Sequence, residues 1–304
     1  MKLPNFLVAG FPKCGSTSLY YYLYEHPEIY LPKQKELHFF TYDIISKQDK
    51  GKADKEIKKF HIGSLPKYKL LFEDVEDEKI IGDVSPSYAN YAEAIPKIKE
   101  VLGADTKIII IVRDPIKRAY SNYLHLVRED RETLPFYEAL QAEAERREQQ
   151  YSDFWYYAFN SMYYEKIKRM KAHFSDVQII TFEEFIKNPQ HGMQAVYSFL
   201  GADPSFKTDT VDTQFNPGGT YKKNTLTNFI FKQSKAKNIL KKTLPITTSL
   251  KKLKIKLINK YKEQTPPIDP KAEAYLIALF KDDVAKLKRD FNVKTEYWND
   301  AFQA

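Results

Sequence analysis

Cysteine, glycine and long apolar runs are all scarce in this chain of 304 residues. Cys14 is its sole cysteine, so a disulfide within the chain and a disulfide-rich scaffold are excluded. Ten glycines without a G-x-y or heptad period exclude collagen-like and coiled-coil structures. The longest apolar runs, at 6–11 and 108–112, fall far short of the roughly 20 residues of a transmembrane helix. We therefore expect a cytoplasmic protein without a transmembrane segment.

The chain does contain enough apolar residues for a large core. Hydrophobic residues make up 43% and aromatic residues 14% of the sequence, which excludes global disorder. Short β-branched runs alternate with amphipathic stretches, which predicts one α/β domain over residues 1–304 with a central parallel sheet flanked by helices. The predicted strands are 5–10, 79–83, 107–112 and 177–181. The predicted helices are 16–25, 89–102, 135–149, 160–173, 190–200 and two that begin after the Asp-Pro pairs 114–115 and 269–270.

The net charge of +8 is concentrated in one segment. Residues 213–262 hold thirteen lysines and no acidic residue, so the rest of the chain is mildly acidic. This segment is either a solvated insertion or a surface for anions, whether cofactor phosphate, an acidic acceptor or a membrane. Only 8 of the 48 basic residues are arginines and no nucleic-acid motif is found, so we expect no nucleic-acid partner.

The first predicted strand leads through Gly10 to Ser18 into a helix, a geometry that binds anions through free backbone N–H groups. The spacing of Gly10 and Gly15 matches the start of a Walker A loop, but Ser16 stands where that loop has its lysine. The lysine of this loop is Lys13. We therefore predict a site for a phosphate or sulfate that is placed differently from the phosphates of ATP.

A second anion-binding element follows the strand 107–112. Arg113 stands where a magnesium-dependent P-loop enzyme would carry an aspartate. A guanidinium binds a phosphate dianion without a metal, and Asp114 is explained as a helix N-cap. Ser121, two turns into the helix, is placed to donate its hydroxyl to the same phosphate.

These motifs together resemble those of sulfotransferases that use 3′-phosphoadenosine-5′-phosphosulfate (PAPS). Lys13-Cys-Gly-Ser-Thr-Ser18 resembles their 5′-phosphosulfate loop, and Arg113-Asp-Pro…Ser121 resembles their 3′-phosphate motif. Similarity to the heparan-sulfate branch extends to 35–40, where that branch has a catalytic glutamate, and to 83–88, its (T/S)-P-x-Y stretch. The segments 182–189 and 287–298 also fit. The resemblance implies a P-loop-like α/β sulfotransferase fold with PAPS as donor, 3′-phosphoadenosine-5′-phosphate (PAP) as product, and no metal.

The resemblance also implies roles for individual residues. The 5′-phosphosulfate group would be held by Lys13, Cys14, Gly15, Ser16, Thr17 and Ser18, and the 3′-phosphate by Arg113 and Ser121. Glu36 would be the general base, and we expect burial among Leu37, Phe39 and Phe40 to raise its pKa. His38 is the competing base, since its ordinary pKa suits neutral pH. Lys13 would also stabilise the charge that grows on the leaving phosphate.

Three further residues are weaker cofactor candidates. Tyr163 is a candidate platform for adenine, although a core role fits it equally well. Tyr221 and Lys222 follow a pair of glycines in a stretch that predicts a mobile loop over the 3′-phosphate. More broadly, we expect the segment 213–262 to be a mobile insertion that covers cofactor or substrate.

The sequence therefore predicts sulfuryl transfer from PAPS to a hydroxyl or amine of a carbohydrate or small natural product. Two alternatives stay open. A nucleotide kinase with a degenerate P-loop would require Mg²⁺, and a non-enzymatic protein that binds polyanions or membranes would show steep salt dependence without selectivity for a 3′-phosphorylated nucleotide. Neither the acceptor nor the oligomeric state is specified by the sequence.

Overall fold

The protein folds around a five-stranded parallel sheet. A computed structural model describes residues 2–211, 213, 215, 218–222 and 260–303. The strand order is β2-β3-β1-β4-β5, and every pairing between these neighbours is parallel. The strands are β1 (Phe6–Gly10), β2 (Ile29–Tyr30), β3 (Ile80–Val84), β4 (Lys107–Val112) and β5 (Val177–Thr181).

The two central strands form the middle of the core. All five residues of β1 are buried, as are Ile108 to Val112 of β4. A continuous apolar run is buried on both faces only when other elements cover both sides of the sheet. The predicted strands agree with the observed ones to within one residue, and the short β2 was not predicted.

Helices cover both faces of the sheet and connect its parallel strands. They are α1 (Ser16–Tyr24), α2 (Tyr42–Ile45), α3 (Asp54–Lys58), α4 (Leu65–Leu70), α5 (Ala94–Leu102), α6 (Pro115–Arg128), α7 (Phe136–Gln141), α8 (Glu143–Glu148), α9 (Tyr164–His173), α10 (Phe182–Lys187), α11 (Pro189–Leu200) and α12 (Pro270–Phe291). Both predicted caps are present, since Asp114 accepts from the N–H groups of Ile116 and Lys117, and Asp269 accepts from that of Lys271.

Three predicted helices differ from the observed ones. The helix predicted at 89–102 begins only at Ala94, and the one predicted at 135–149 is divided between α7 and α8. The division lets the carboxylate of Glu143 accept the backbone N–H groups of Ala158 and Phe159, at 2.7 and 2.9 Å. The helix predicted from residue 160 begins at Tyr164, and Asp283 of α12 accepts the N–H groups at its start.

The lysine-rich segment is described only at its two ends. Strands β6 (Thr220–Tyr221) and β7 (Lys262–Glu263) pair in antiparallel fashion, which brings those ends together. The predicted mobility of the segment concerns mainly residues 223–259, which lie outside the described residues. In the described part of the chain, no helix combines the length and apolar character needed to cross a membrane, and the cytoplasmic location stays a prediction.

Candidate active site

A large cleft opens where the parallel strands end. Its volume is about 1130 Å³, and residues that follow four different strands line it. After β1 come Pro12 to Ser18, after β3 come Pro86 and Ser87, after β4 comes Arg113, and after β5 comes Phe182. The cleft therefore brings together most of the residues that the sequence nominated, namely Lys13, Cys14, Gly15, Ser16, Thr17, Ser18, Glu36, His38, Arg113 and Ser121.

The loop between β1 and α1 requires glycine at position 15. Gly15 has a φ of 98°, in the left-handed region that favours glycine. A Cβ atom there would also lie 2.9 Å from the ring of Phe182, which is too close for any side chain. Gly15 is the N-cap of α1 and no side chain caps this helix. Ser16, Thr17 and Ser18 of the first turn of α1 line the cleft, and a helix N-terminus is an arrangement that binds anions.

Several cations converge on the Lys13 side chain. Burial, together with the nearby charges of Arg128 and Arg113, lowers the pKa of Lys13 to about 7. Near neutral pH the ammonium is therefore only partly protonated in the free protein. Because an anion bound beside it would favour the charged form, the site is poised to take up a proton when phosphate binds.

Arg113 lines the cleft and has Lys13, Phe182 and Glu183 as neighbours. Its guanidinium donates to the carbonyl of Lys13 at 3.2 Å and packs 4.9 Å from the centre of the Phe182 ring. Its Nε atom is buried without a hydrogen-bond partner, and its nearest carboxylate oxygen, on Glu183, is 4.0 Å away. Ser121 lines the same cleft from α6.

These residues fit an anionic nucleotide with two separate phosphate positions. The buried Nε of Arg113 has no hydrogen-bond partner, the pKa of Lys13 is lowered, and α1 begins at the cleft, and a phosphate oxygen would interact favourably with each of these three features. Among the described residues, no cluster of histidine, cysteine and carboxylate side chains has an arrangement that could hold a metal ion.

Glu36 lines the cleft, but its pKa moves in the opposite direction to our prediction. Burial alone would raise the pKa of this carboxyl, yet the paired ammonium of Lys35 and the nearby His38 outweigh it and lower the pKa to about 2. The Lys35 ammonium donates directly to the Glu36 carboxylate. Glu36 is therefore ionised at neutral pH, which leaves it able to accept a proton, although its basicity is weak.

His38 lies beside Glu36, and the pKa of its imidazole is also lowered. Burial is the main cause, and it lowers the pKa of the imidazole to about 4, so the ring is neutral at pH 7. Its Nδ1 atom lies 2.7 Å from the hydroxyl oxygen of Ser87, and its ring centre is 4.4 Å from that of His61. Both candidate bases are therefore in the protonation state that a base requires.

A buried hydroxyl network holds the loop that carries both candidate bases. Asp83, at 0% exposure, accepts hydrogen bonds of 2.6 Å from the hydroxyls of Ser85 and Tyr88. Those two hydroxyls in turn accept the backbone N–H groups of His38 and Phe39, at 3.1 and 3.2 Å. The stretch 83–88 is thus a support for the 36–38 loop, with Ser87 also contacting His38.

Three of the nominated residues do not line the cleft. Tyr163 is fully buried, packs 4.8 Å from the ring of Phe11 and donates to the carbonyl of Arg113 at 3.0 Å. A ring without an exposed face cannot stack on adenine, so Tyr163 positions the backbone of Arg113 instead. Tyr221 packs against the guanidinium of Arg128, and Lys222 is exposed; neither lines the cleft. The neighbouring Gly218 and Gly219 do line it.

The cleft also contains residues that the sequence did not nominate, among them Phe182, His125, Glu129 and Asp153. Ser121 and His125 are one turn apart on α6, and helical spacing from Ser121 would have indicated His125. Burial and the charges of Lys13 and Arg128 hold the pKa of His125 well below its usual range. The guanidinium of Arg128 donates to His125 Nδ1 at 2.8 Å. Asp153 carries no local signal that distinguishes it from a surface aspartate.

The chain resembles known sulfotransferases in sequence. The model of the sulfotransferase family matches residues 4–206. The human heparan sulfate glucosamine 3-O-sulfotransferase 3B1 is 28% identical over 202 residues, which are 66% of this chain and 46% of that protein. The membrane-associated sulfotransferase kil1 of Dictyostelium discoideum is 32% identical over 124 residues, 40% of this chain and 22% of that protein. The chain thus spans less than half the length of these curated relatives.

Solved structures show the same fold. A sulfotransferase from Alicyclobacillus acidocaldarius aligns with a TM-score of 0.75 and 29% identity over 98% of this chain and 99% of that chain. Mouse SULT7A1, solved with PAP, aligns with a TM-score of 0.50 and 15% identity over 93% and 86%, which supports the fold alone. The predicted α/β sulfotransferase fold is confirmed. The family match over most of the chain and the full-length bacterial alignment show that this chain belongs to the sulfotransferase family.

Proposed function

We propose that this chain transfers a sulfuryl group from PAPS to a hydroxyl or amine of a carbohydrate or small natural-product acceptor. The observation that carries the proposal is the meeting of two groups of residues in one cleft. Lys13, Arg113 and Ser121 form its cationic, phosphate-binding part, and Glu36 and His38 supply a base beside it.

We assign one part of the donor to the loop between β1 and α1, and another part to Arg113 and helix α6. We assign the 5′-phosphosulfate group to Lys13 and the N–H groups of Ser16 to Ser18, and the 3′-phosphate to Arg113 and Ser121. The donor supplies the sulfuryl group when bound. Charge-assisted hydrogen bonds to phosphate oxygens contribute about 1.5–3 kcal/mol each, so the second phosphate site should set the nucleotide preference.

Two tasks then fall to residues of this chain: accepting the proton of the acceptor, and stabilising the charge that develops on the leaving phosphate. Glu36 accepts the proton that the acceptor hydroxyl or amine loses while its oxygen or nitrogen bonds to sulfur. Lys13, protonated once an anion lies beside it, donates to the phosphate oxygen that keeps the electrons of the broken bond. The neutral His38, held by Ser87, is the competing base.

The assignment of the donor is tested by calorimetry with PAP and AMP. PAP should bind at least about tenfold more tightly than AMP, because a charge-assisted phosphate contact exceeds 1.4 kcal/mol. Arg113→Ala should remove most of this preference while affinity for AMP stays nearly constant. Arg289→Ala is the matched control, since Arg289 is exposed and pairs with Asp290. Equal affinity of the wild type for PAP and AMP would exclude the proposed donor.

A further inference from the structure

Asp153 places a buried carboxylate in the wall of the cleft. It begins the short 3-10 turn Asp153–Trp155 and is only 9% exposed. It lines the cleft together with its neighbour Phe154 and with Asn160. Asp153 has no part in the proposed donor site or in the proton transfer at Glu36.

Within the described residues, the Asp153 carboxylate has neither a hydrogen-bond donor nor an ion-pair partner. The hydrogen bonds of this residue go to its backbone carbonyl, from the side-chain amide of Asn160 at 2.6 Å and from the N–H of Tyr156 at 3.0 Å. They fix the turn and do not involve the carboxylate oxygens.

The polar side chains next to it are already satisfied. Asn160 accepts from the amide of Asn90 at 2.8 Å while it donates to Asp153. Asn122 donates to the carbonyl of Phe154 at 2.7 Å and accepts from Arg118. Asn160 and Asn122 thus have hydrogen-bond partners among the described residues, whereas the Asp153 carboxylate has none there.

The charged form of the Asp153 carboxylate is disfavoured in the free protein. Burial is the main reason that the pKa of Asp153 is raised to about 6, and the like charge of Asp54 adds to it. Lys58, Arg118 and Lys166 oppose this rise without forming a close ion pair. Burial thus disfavours the charged form of Asp153, and a ligand that donates a hydrogen bond to the carboxylate stabilises that form.

We propose that Asp153 binds the acceptor and selects one that presents an amine or an unsubstituted hydroxyl, as an amino sugar or a neutral polyhydroxylated saccharide does. This inference rests on the proposed function. An acceptor with a carboxylate or sulfate at this position would face Asp153 across a poorly solvated gap, and like-charge contact of that kind rejects a ligand.

The test compares three tetrasaccharides that differ in charge, each titrated into the PAP-bound protein. They are a glucosamine tetramer, cellotetraose and a sulfated heparin tetramer. The wild type should bind the glucosamine tetramer most tightly and the heparin tetramer most weakly. Asp153→Asn should weaken glucosamine-tetramer binding at least about tenfold, and Asp153→Lys should favour the heparin tetramer. Tighter binding of the heparin tetramer by the wild type, or unchanged affinities in Asp153→Asn, would overturn the inference.

Three further measurements separate acceptor binding from a structural role. Asp176→Asn is the matched control because Asp176 is exposed and does not line the cleft. Asp153→Asn should keep PAP affinity and should not lower the melting temperature, because it removes a buried charge next to Asp54. Wild-type affinity for the glucosamine tetramer should rise as pH increases through 6, and this dependence should vanish in Asp153→Asn and, as a second variant, Asp153→Ser. Equal affinity of the wild type for PAP and AMP would instead show that the proposed donor is wrong.

Discussion

Lys13 couples donor binding to proton uptake. With a pKa of about 7 in the free protein, Lys13 is mostly neutral at pH 8, and it must be protonated to pair with a phosphate. We predict that PAP affinity falls between pH 7 and 9, where the phosphates themselves are fully ionised, by up to tenfold per pH unit. Calorimetry in buffers of different ionisation enthalpy should detect the proton that is taken up.

The conservative variant isolates this effect from general binding. Lys13→Arg keeps a positive charge over the whole range, because guanidinium stays protonated, and should therefore bind PAP with little dependence on pH. If the wild type and Lys13→Arg show the same pH profile between 7 and 9, Lys13 does not carry the titration.

Two variants decide which residue is the base. Glu36→Gln keeps the size of the side chain but cannot accept the proton, so kcat should fall about 10²-fold or more. PAP affinity should barely change, since we assign Glu36 to the acceptor and not to the phosphates. His38→Ala is the comparison in a turnover assay with PAPS. Near-normal turnover of Glu36→Gln together with an inactive His38→Ala would assign the base to His38.

At the scale of elements, the segment after β3 positions the loop that carries the base. The hydroxyl of Tyr88 both donates to Asp83 and accepts the N–H of Phe39. Tyr88→Phe should therefore destabilise the protein by about 1–3 kcal/mol, because a buried N–H is left unpaired. We also expect a fall in kcat with little change in PAP affinity. Tyr24→Phe, at a position 45% exposed, is the control for denaturant unfolding and turnover; equal stability of the two variants would exclude this supporting role.

Elements with local signals were predicted well from the sequence. The buried run 107–112 and the Asp-Pro cap at 114–115 need no distant partner, and both appear as predicted. The start of α9 was displaced because its cap is Asp283, which lies 120 residues from Tyr163 along the chain. A single sequence does not show such a contact.

The same limit applies to the candidate site. The motifs predicted which residues line the cleft around the donor, because each motif is contiguous. The lowered pKa of Glu36 depends on its pairing with Lys35, and that of Lys13 depends first on burial and then on Arg128, which is 115 residues away. The unpartnered carboxylate of Asp153 likewise becomes visible only once the cleft is formed.

At the scale of the whole molecule, several positively charged side chains lie near one another at the cleft. After burial, the charges of Arg128, Arg113 and Arg118 lower the pKa of Lys13, so these three cations lie within electrostatic reach of Lys13. Their mutual repulsion destabilises the free protein, so an anion that binds among them should stabilise the whole fold.

We predict that PAP raises the melting temperature by several degrees. At a concentration 100 times its Kd, a ligand specific for the folded state adds about 2.7 kcal/mol to the free energy of unfolding. AMP at the same concentration should stabilise less because it lacks the 3′-phosphate that we assign to Arg113 and Ser121. In Arg113→Ala the difference between the two nucleotides should shrink, whereas in Arg289→Ala it should match the wild type. Thermal unfolding monitored by circular dichroism provides the measurement. Equal shifts with PAP and AMP in the wild type would mean that the cationic part of the cleft does not distinguish a nucleotide with two phosphate positions from one with a single phosphate.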